Sequence, residues 1–389
     1  MDIYQYSEPQ KKLIEQIKTM AAENFAPRAQ QYDDAAVLPL EDLQDLHKAG
    51  FLTACLDKAH GGMGFGAEQD DPLSFFLITQ HIAQVNPATG HCFQVHNNCV
   101  QMLNAFANDE QIERFLEPTR ERGAVIPGLG SEPTINVAKG ALSTEGKRVD
   151  GGIVVNGLKH YATDATGSEW MWVMVMDDKS GRDLTVMVPS NHAGVTTFEE
   201  QWDPVGMRAC VSPKVSFEDV FVPNADIVGE PGDFLGKNWM GKNWMGKINM
   251  GFSANYLGNL EGVYQGVVEY ITSRNRGDDT TRQRYVGEMK ARIDAVKLML
   301  YTAINGFQSD LEGALLLVEE AKWLAVESAN RFHYLVGQAA GPSVLFRNHP
   351  VERLMRDLLI HGLHGRHHVT VETVGKKELG QPFRLGMSV

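Results

Sequence analysis

The period of hydrophobic positions changes twice along the chain. In the first 120 or so residues, apolar positions recur at helical spacing: "PQKKLIEQIKTMAAENFAPRAQQYD" and "PLEDLQDLHKAGF" read as one-sided helices, the second stopped by Gly50. "DPLSFFLITQHIAQVNPATGHCFQVHNNCVQMLNAFA" is more uniformly apolar and predicts two buried helices. From about Gly123 the pattern shortens. "GIVVNGLKHYATDA", "WMWVMVMDD", "DLTVMVPS", "VTTFEEQWD" and "PKVSFEDVFVP" are β-branched and aromatic runs bounded by Gly, Asn, Asp and Pro, which predicts a compact β-domain. After Pro231 four long amphipathic stretches follow, beginning "NYLGNLEGVYQGVVEYITSR" and ending "HPVERLMRDLLIHGLH", a pattern that predicts a bundle. The expectation is an α+β protein with an N-terminal α-helical domain over 1–122, a middle β-domain over 123–230 and a C-terminal helical bundle over 231–389.

Composition narrows the function classes. The 389 residues are 43% hydrophobic and 22% charged with a formal net charge of −13, which argues against nucleic-acid and anionic-membrane partners. The four cysteines, Cys55, Cys92, Cys99 and Cys210, form no CxxC pair and read as reduced core residues. No apolar run reaches the roughly 18 residues of a membrane span, and the N-terminal stretch is an amphipathic helix, so a soluble cytoplasmic protein is expected. The glycine-rich "HGGMGFG" lacks the Lys-Ser/Thr of a phosphate loop. "GKNWMGKNWM" is a tandem duplication that reads either as a plain loop or as an aromatic-thioether lid carrying Trp239, Met240, Trp244 and Met245. "IHGLHGRHHVTVE" places four histidines in eight residues. His361 and His364, three apart, share a helix face and could serve a proton relay or a helix end. A metal is not expected, because no nearby Asp, Glu or Cys completes a ligand set.

Three segments resemble the acyl-CoA dehydrogenase superfamily, in order and at its separations. "VVNGLKHYATDA" (154–165) resembles its Asn-Gly-x-Lys-x-Trp-Ile-Thr strand, "GMRACVSPKVSFEDVFVP" (206–223) its Gly-Met-Arg…Val-Pro segment, and "HPVERLMRD" (349–357) the start of its last helix. The resemblance implies an N-terminal helical domain, a β-barrel-like middle domain, a C-terminal four-helix bundle, a bound flavin and a homotetramer. By position, Tyr161 would pack on the flavin ring and Thr163 would hydrogen-bond its reactive nitrogen, where a hydroxyl can donate or accept. "LGSEP" (129–133) resembles the Thr-Glu-Pro turn at the pyrimidine edge, which implies flavin contacts from Leu129 and Ser131.

The same resemblance exposes departures. The dehydrogenase glutamate positions fall at Gly365 or near Phe252 and Ser253, and none carries an acid. Loss of a positioned base costs roughly 10²–10⁴ in rate. The Gly-Gly-x-Gly turn that helps hold the FAD pyrophosphate reads "AGPSVLFRNH", leaving Gly341 and offering Arg347 as a contact, so FMN or reduced FAD is the implied cofactor. "RDLLIHGLH" is similar to the last helix of the flavin-dependent monooxygenases of this fold, of which dibenzothiophene and 4-hydroxyphenylacetate oxygenases are examples. That branch implies reduced flavin and O₂ reacting through a C4a-hydroperoxyflavin, with His364 and His361 holding or supplying its proton. His96 is expected on the opposite wall of the same cavity; His367 and His368 read as helix-terminal residues.

The expected function is therefore the oxygenase component of a two-component flavin monooxygenase, hydroxylating a small apolar or aromatic molecule at carbon, nitrogen or sulfur. No GxGxxG strand-turn-helix fits a nicotinamide site, so a separate flavin reductase is the implied partner. The alternatives are a flavin-dependent acyl-CoA dehydrogenase with an unrecognised base and a catalytically inert subunit.

Overall fold

The computed structural model describes residues 3–133, 142–235, 244–363, 367–383 and 385. His364 and residues 236–243 of the GKNWM duplication lie outside them. The chain opens with α1 (Glu8–Met20), where Ser7 and Gln10 form a reciprocal capping box. A π turn at Ala21–Phe25 leads into α2 (Ala26–Ala35), with Pro27 in its first turn, where a missing N–H costs little. Next come α3 (Leu40–Lys48), α4 (Pro72–Ala83), α5 (Pro87–Phe106) and α6 (Asp109–Arg122). The side chains of Asp71 and Asn86 cap α4 and α5. Every residue of α4 from Leu73 to Ala83 is buried, as its all-round apolar sequence predicts.

The middle of the chain is one mixed sheet of β1 (Gly128–Leu129), β2 (Glu145–Val149), β3 (Gly152–Lys159), β4 (Trp170–Asp177), β5 (Arg182–Pro189), β6 (Val195–Phe198), β7 (Lys214–Pro223) and β8 (Ile227–Val228). Its order is β6-β7-β3-β2-β4-β5-β8, with β1 added alongside β4. Ile153, Val155, Val173, Val186, Phe217 and Val220 form a core of its own. Helices α7 (Trp244–Ser273), α8 (Thr280–Gly306), α9 (Leu311–Ala340), α10 (Pro350–Leu363) and α11 (His367–Glu378) complete the described chain.

The first and last helical segments, read from the sequence as separate units, share one continuous hydrophobic core. Glycines at the crossing of α4 and α7 make this possible. A Cβ on Gly258 or Gly262 would lie 2.1 or 2.0 Å from the carbonyl oxygens of Gln80 and Gln84. Between them Glu261 accepts hydrogen bonds from Gln80 and Gln84, both at 2.7 Å, and pairs with Lys297. His81, buried on the same helix, has its pKa pulled down to about 4 by burial.

The segments 206–223 and 349–357 also meet. Met207 N–H donates to the buried Asp357 carboxylate at 2.6 Å, and Arg356 forks onto Asp33 of α2 at 2.6 and 3.1 Å. Gly206 sits directly on the backbone of α10, where a Cβ would be 2.1 Å from the Arg356 carbonyl oxygen.

Two outcomes follow for stability. Gly206→Ala should lower the unfolding free energy by about 1–3 kcal/mol, the usual cost of overpacking, as read by urea titration; an unchanged midpoint would mean the junction is loose. His81 binds its proton less readily folded than unfolded, so its contribution is intact above pH 6.5 and is lost as pH falls from 6.5 towards 4. Relative to His81→Phe, the wild type should therefore lose about 1.4 kcal/mol per pH unit across that window. Parallel stability curves would show that His81 takes up its proton freely in the fold.

Candidate functional site

The site grows from the pairing of β3 with β7. These strands are antiparallel, with Lys159 opposite Val215, and the pairing runs on past the strand ends through Ala162 N–H to the Pro213 carbonyl at 2.9 Å. Thr163 is thereby brought beside Ser212, their hydroxyl oxygens 2.7 Å apart. From the other side α5 presents His91, whose Nε2 is 3.2 Å from Thr163 Oγ1. The His91 ring stands 5.7 Å from that of Phe252 on α7. One turn further along α7, Tyr256 lies 4.6 Å from the ring of His361, which is buried on α10 beside Asn259. Strand-end hydroxyls, the histidine of α5 and the aromatic residues of α7 thus form a continuous wall.

Electrostatically the wall is neutral. Burial lowers His91 to about 4, so it is an uncharged imidazole at neutral pH. The charged pair nearby is structural. Glu132 and Lys159 are buried together at 2.6 Å, and Glu132 also accepts from Ser143 and from the Thr144 N–H. Burial alone would raise Glu132, but the Lys159 charge and these hydrogen bonds outweigh it and hold the group at about 2. This pair fastens the 129–133 turn to the end of β3.

The residues expected from the sequence fall into distinct places. Thr163 is in the site. Tyr161 precedes it on a left-handed turn (φ 56°) with its ring 68% exposed. Ser131 is exposed and its carbonyl accepts from His160 N–H at 2.9 Å, while Leu129 is buried under the sheet. An exposed tyrosine on a strained turn, a hydroxyl and a neighbouring backbone turn fit the flat face and polar edge of a flavin: Tyr161 could lie against the ring, Thr163 against its nitrogen and Ser131 at its edge. Arg347 is exposed before α10, with no ion-pair partner among the described residues. His364 lies outside those residues.

His96 requires correction. Its Nε2–H donates to the Leu52 carbonyl at 2.7 Å and its Nδ1 accepts from Ile126 N–H at 2.9 Å. Both nitrogens are committed to backbone, so His96 braces α5 and has nothing left for a cavity. Its partner in sequence, His91, is the residue the sequence reading missed. The two are five residues apart, about 140° around a helix, so only one can face the strand ends. An open cavity of about 510 Å³ between α6 and β8, lined by Phe106, Gln111, Arg114 and Ile227, shares none of the site residues.

Comparison with known proteins agrees with this architecture. Residues 7–121, 129–220 and 246–377 match the N-terminal, middle and C-terminal domains of acyl-CoA dehydrogenase. A 3-(aryl)acrylate reductase from Clostridium sporogenes is 24% identical over 90% of this chain and 93% of its own. A dibenzothiophene monooxygenase from Rhodococcus qingshengii is 24% identical over 93% of this chain and 92% of its own. The structure of FMN-bound TdsC from Paenibacillus sp. A11-2 superposes with a TM-score of 0.85 at 20% identity, covering 97% of this chain and 99% of that one. With all three parts matched in order around a site built where they meet, this chain belongs to the acyl-CoA dehydrogenase superfamily of flavin-dependent oxidoreductases.

Proposed function

We propose that the chain is the oxygenase component of a two-component flavin-dependent monooxygenase, which takes reduced FMN or FAD from a separate reductase and hydroxylates a small apolar or aromatic molecule. The observation that carries this reading is that the titratable side chain on the Thr163 hydroxyl is His91. The positions where a dehydrogenase of this superfamily keeps its glutamate hold Phe252 and Ser253 on α7, and Gly365 outside the described residues. The dibenzothiophene monooxygenase relative and the FMN-bound neighbour support the same branch.

Reduced flavin, when bound, supplies the electrons that activate O₂. The residues of the chain hold protons and exclude water. His91, uncharged and half-buried, can accept a hydrogen bond at Nε2 or donate one there according to its tautomer, with Thr163 and Ser212 as hydroxyl partners. Phe252 and Tyr256 are buried in the wall and exclude bulk solvent from it. Tyr161 would orient the ring. His361 stands behind Tyr256 and would tune it, and His364 retains the proton-holding role that the resemblance implies. The proposed assembly is a homotetramer; Leu359 and Leu363 on α10 and Val371 on α11 are exposed apolar residues of the kind that subunit contacts cover.

The test is anaerobic loading with reduced FMN followed by rapid mixing with oxygenated buffer. A transient absorbance distinct from oxidised and reduced flavin is expected, with a lifetime shortened roughly tenfold or more in His91→Phe. Direct single-phase return to oxidised flavin, identical in both proteins, would sink the oxygenase reading. Anaerobic bleaching of oxidised flavin by an acyl thioester would put the dehydrogenase reading in its place.

A further inference from the structure

Directly behind the site lies an acid that the reading above leaves unused. Asp164 follows Thr163, is completely buried, and has no hydrogen-bond partner on either carboxyl oxygen among the described residues. Among the described residues no Lys, Arg or His pairs with it. The groups around it are thiols: Cys92 and Cys99 from α5, and Cys210 from the turn before β7. Cys92 lies close to it, and its thiol donates to the Cys210 carbonyl, 3.9 Å away. The charged groups next in line, Asp42 acting on Cys92 and Asp357 acting on Cys210, are themselves acids. A carboxylate here would be a buried charge with no cation beside it among the described residues. Such a group is stable only in its neutral form.

The backbone explains why an acid is kept there. Tyr161 and Asp164 both have left-handed conformations, φ 56° and 73°, and Thr163 lies between them. Successive residues of this turn meet successive residues of α5: Thr163 bonds His91, and Asp164 meets Cys92. Two left-handed non-glycine residues persist only where the surroundings over-determine them.

We propose that Asp164 is a positioning residue that works as a neutral carboxylic acid: packed into the interior at the end of the left-handed 161–164 turn, it seats that turn against α5 so that the Thr163 hydroxyl faces His91. The inference rests on Thr163 and His91 forming the flavin-side site and is independent of which reaction runs there. Removing the proton at alkaline pH places a charge in the interior, expels the side chain and releases the turn. Burial holds the thiols of Cys92 and Cys210 far above their usual range, so they stay protonated in that window. Lys159, lowered by burial to about 8, loses its charge there and contributes a change common to wild type and Asp164 variants.

Two measurements test this. The infrared difference spectrum of wild type minus Asp164→Asn should contain the carbonyl stretch of a protonated carboxylic acid, shifting in D₂O. FMN affinity, titrated by fluorescence between about pH 6 and pH 10, should be within roughly threefold for Asp164→Asn and wild type at neutral pH. At the alkaline end the wild type should weaken roughly tenfold more than the variant, which cannot ionise. Asp164→Ala, if it folds, should bind weakly at every pH. Absence of the carbonyl band, equal alkaline losses, or an Asp164→Asn protein already crippled at neutral pH would each overturn the proposal. Failure of the wild type to bind FMN at all would count against the flavin site, while the infrared band would still report whether Asp164 is neutral.

Discussion

The contact on which the rest of the molecule depends is the junction of Asp33, Met207 and Asp357. A backbone N–H from the middle sheet ends on a buried carboxylate of α10, and the neighbouring Arg356 forks onto an aspartate of α2. Burial raises Asp357 to about 6 despite the nearby Arg353, so the acid is held at some cost and is kept ionised at neutral pH by its neighbours. Gly206 admits the two backbones to this closeness. Three chain segments more than a hundred residues apart are thereby fixed in one frame, and a site assembled from the same three segments inherits its rigidity.

Given that frame, the site is a matter of strand pairing and helix face. The β3–β7 register sets Thr163 against Ser212, and α5 lies over both with His91 towards them. Burial then neutralises the interior from both directions: it strips the proton from His91 and leaves one on Asp164. The ionised pair close by, Glu132 with Lys159, compensates itself and serves as a strut. A neutral, partly closed wall favours chemistry in which protons are held in place and water is kept away, in contrast to a wall carrying a carboxylate base.

Much of the fold was legible because burial imposes a period. Alternation marked the strands, three-to-four spacing marked the helices, and the all-round apolar stretch became the fully buried α4. The superfamily was legible for a different reason: its motif residues, Gly206, Met207 and Asp357 among them, make contacts that few other residue types could make. The shared core of the first and last helical segments was not legible, because Gly258 and Gly262 read locally as weak helix formers and gain meaning only from the carbonyls of α4 that approach them.

The sequence by itself determined the order of helices and strands and the superfamily. Each of these is a property of residue type and spacing along one segment. Tertiary structure decided which histidine of α5 serves the site. His91 and His96 are equivalent on paper, but the rotation of α5 sends one ring to the Thr163 hydroxyl and the other to the backbone of Leu52 and Ile126. It also decided the charge states of His91 and Asp164, since these depend on what surrounds a group in space, and residues distant in sequence supply those surroundings.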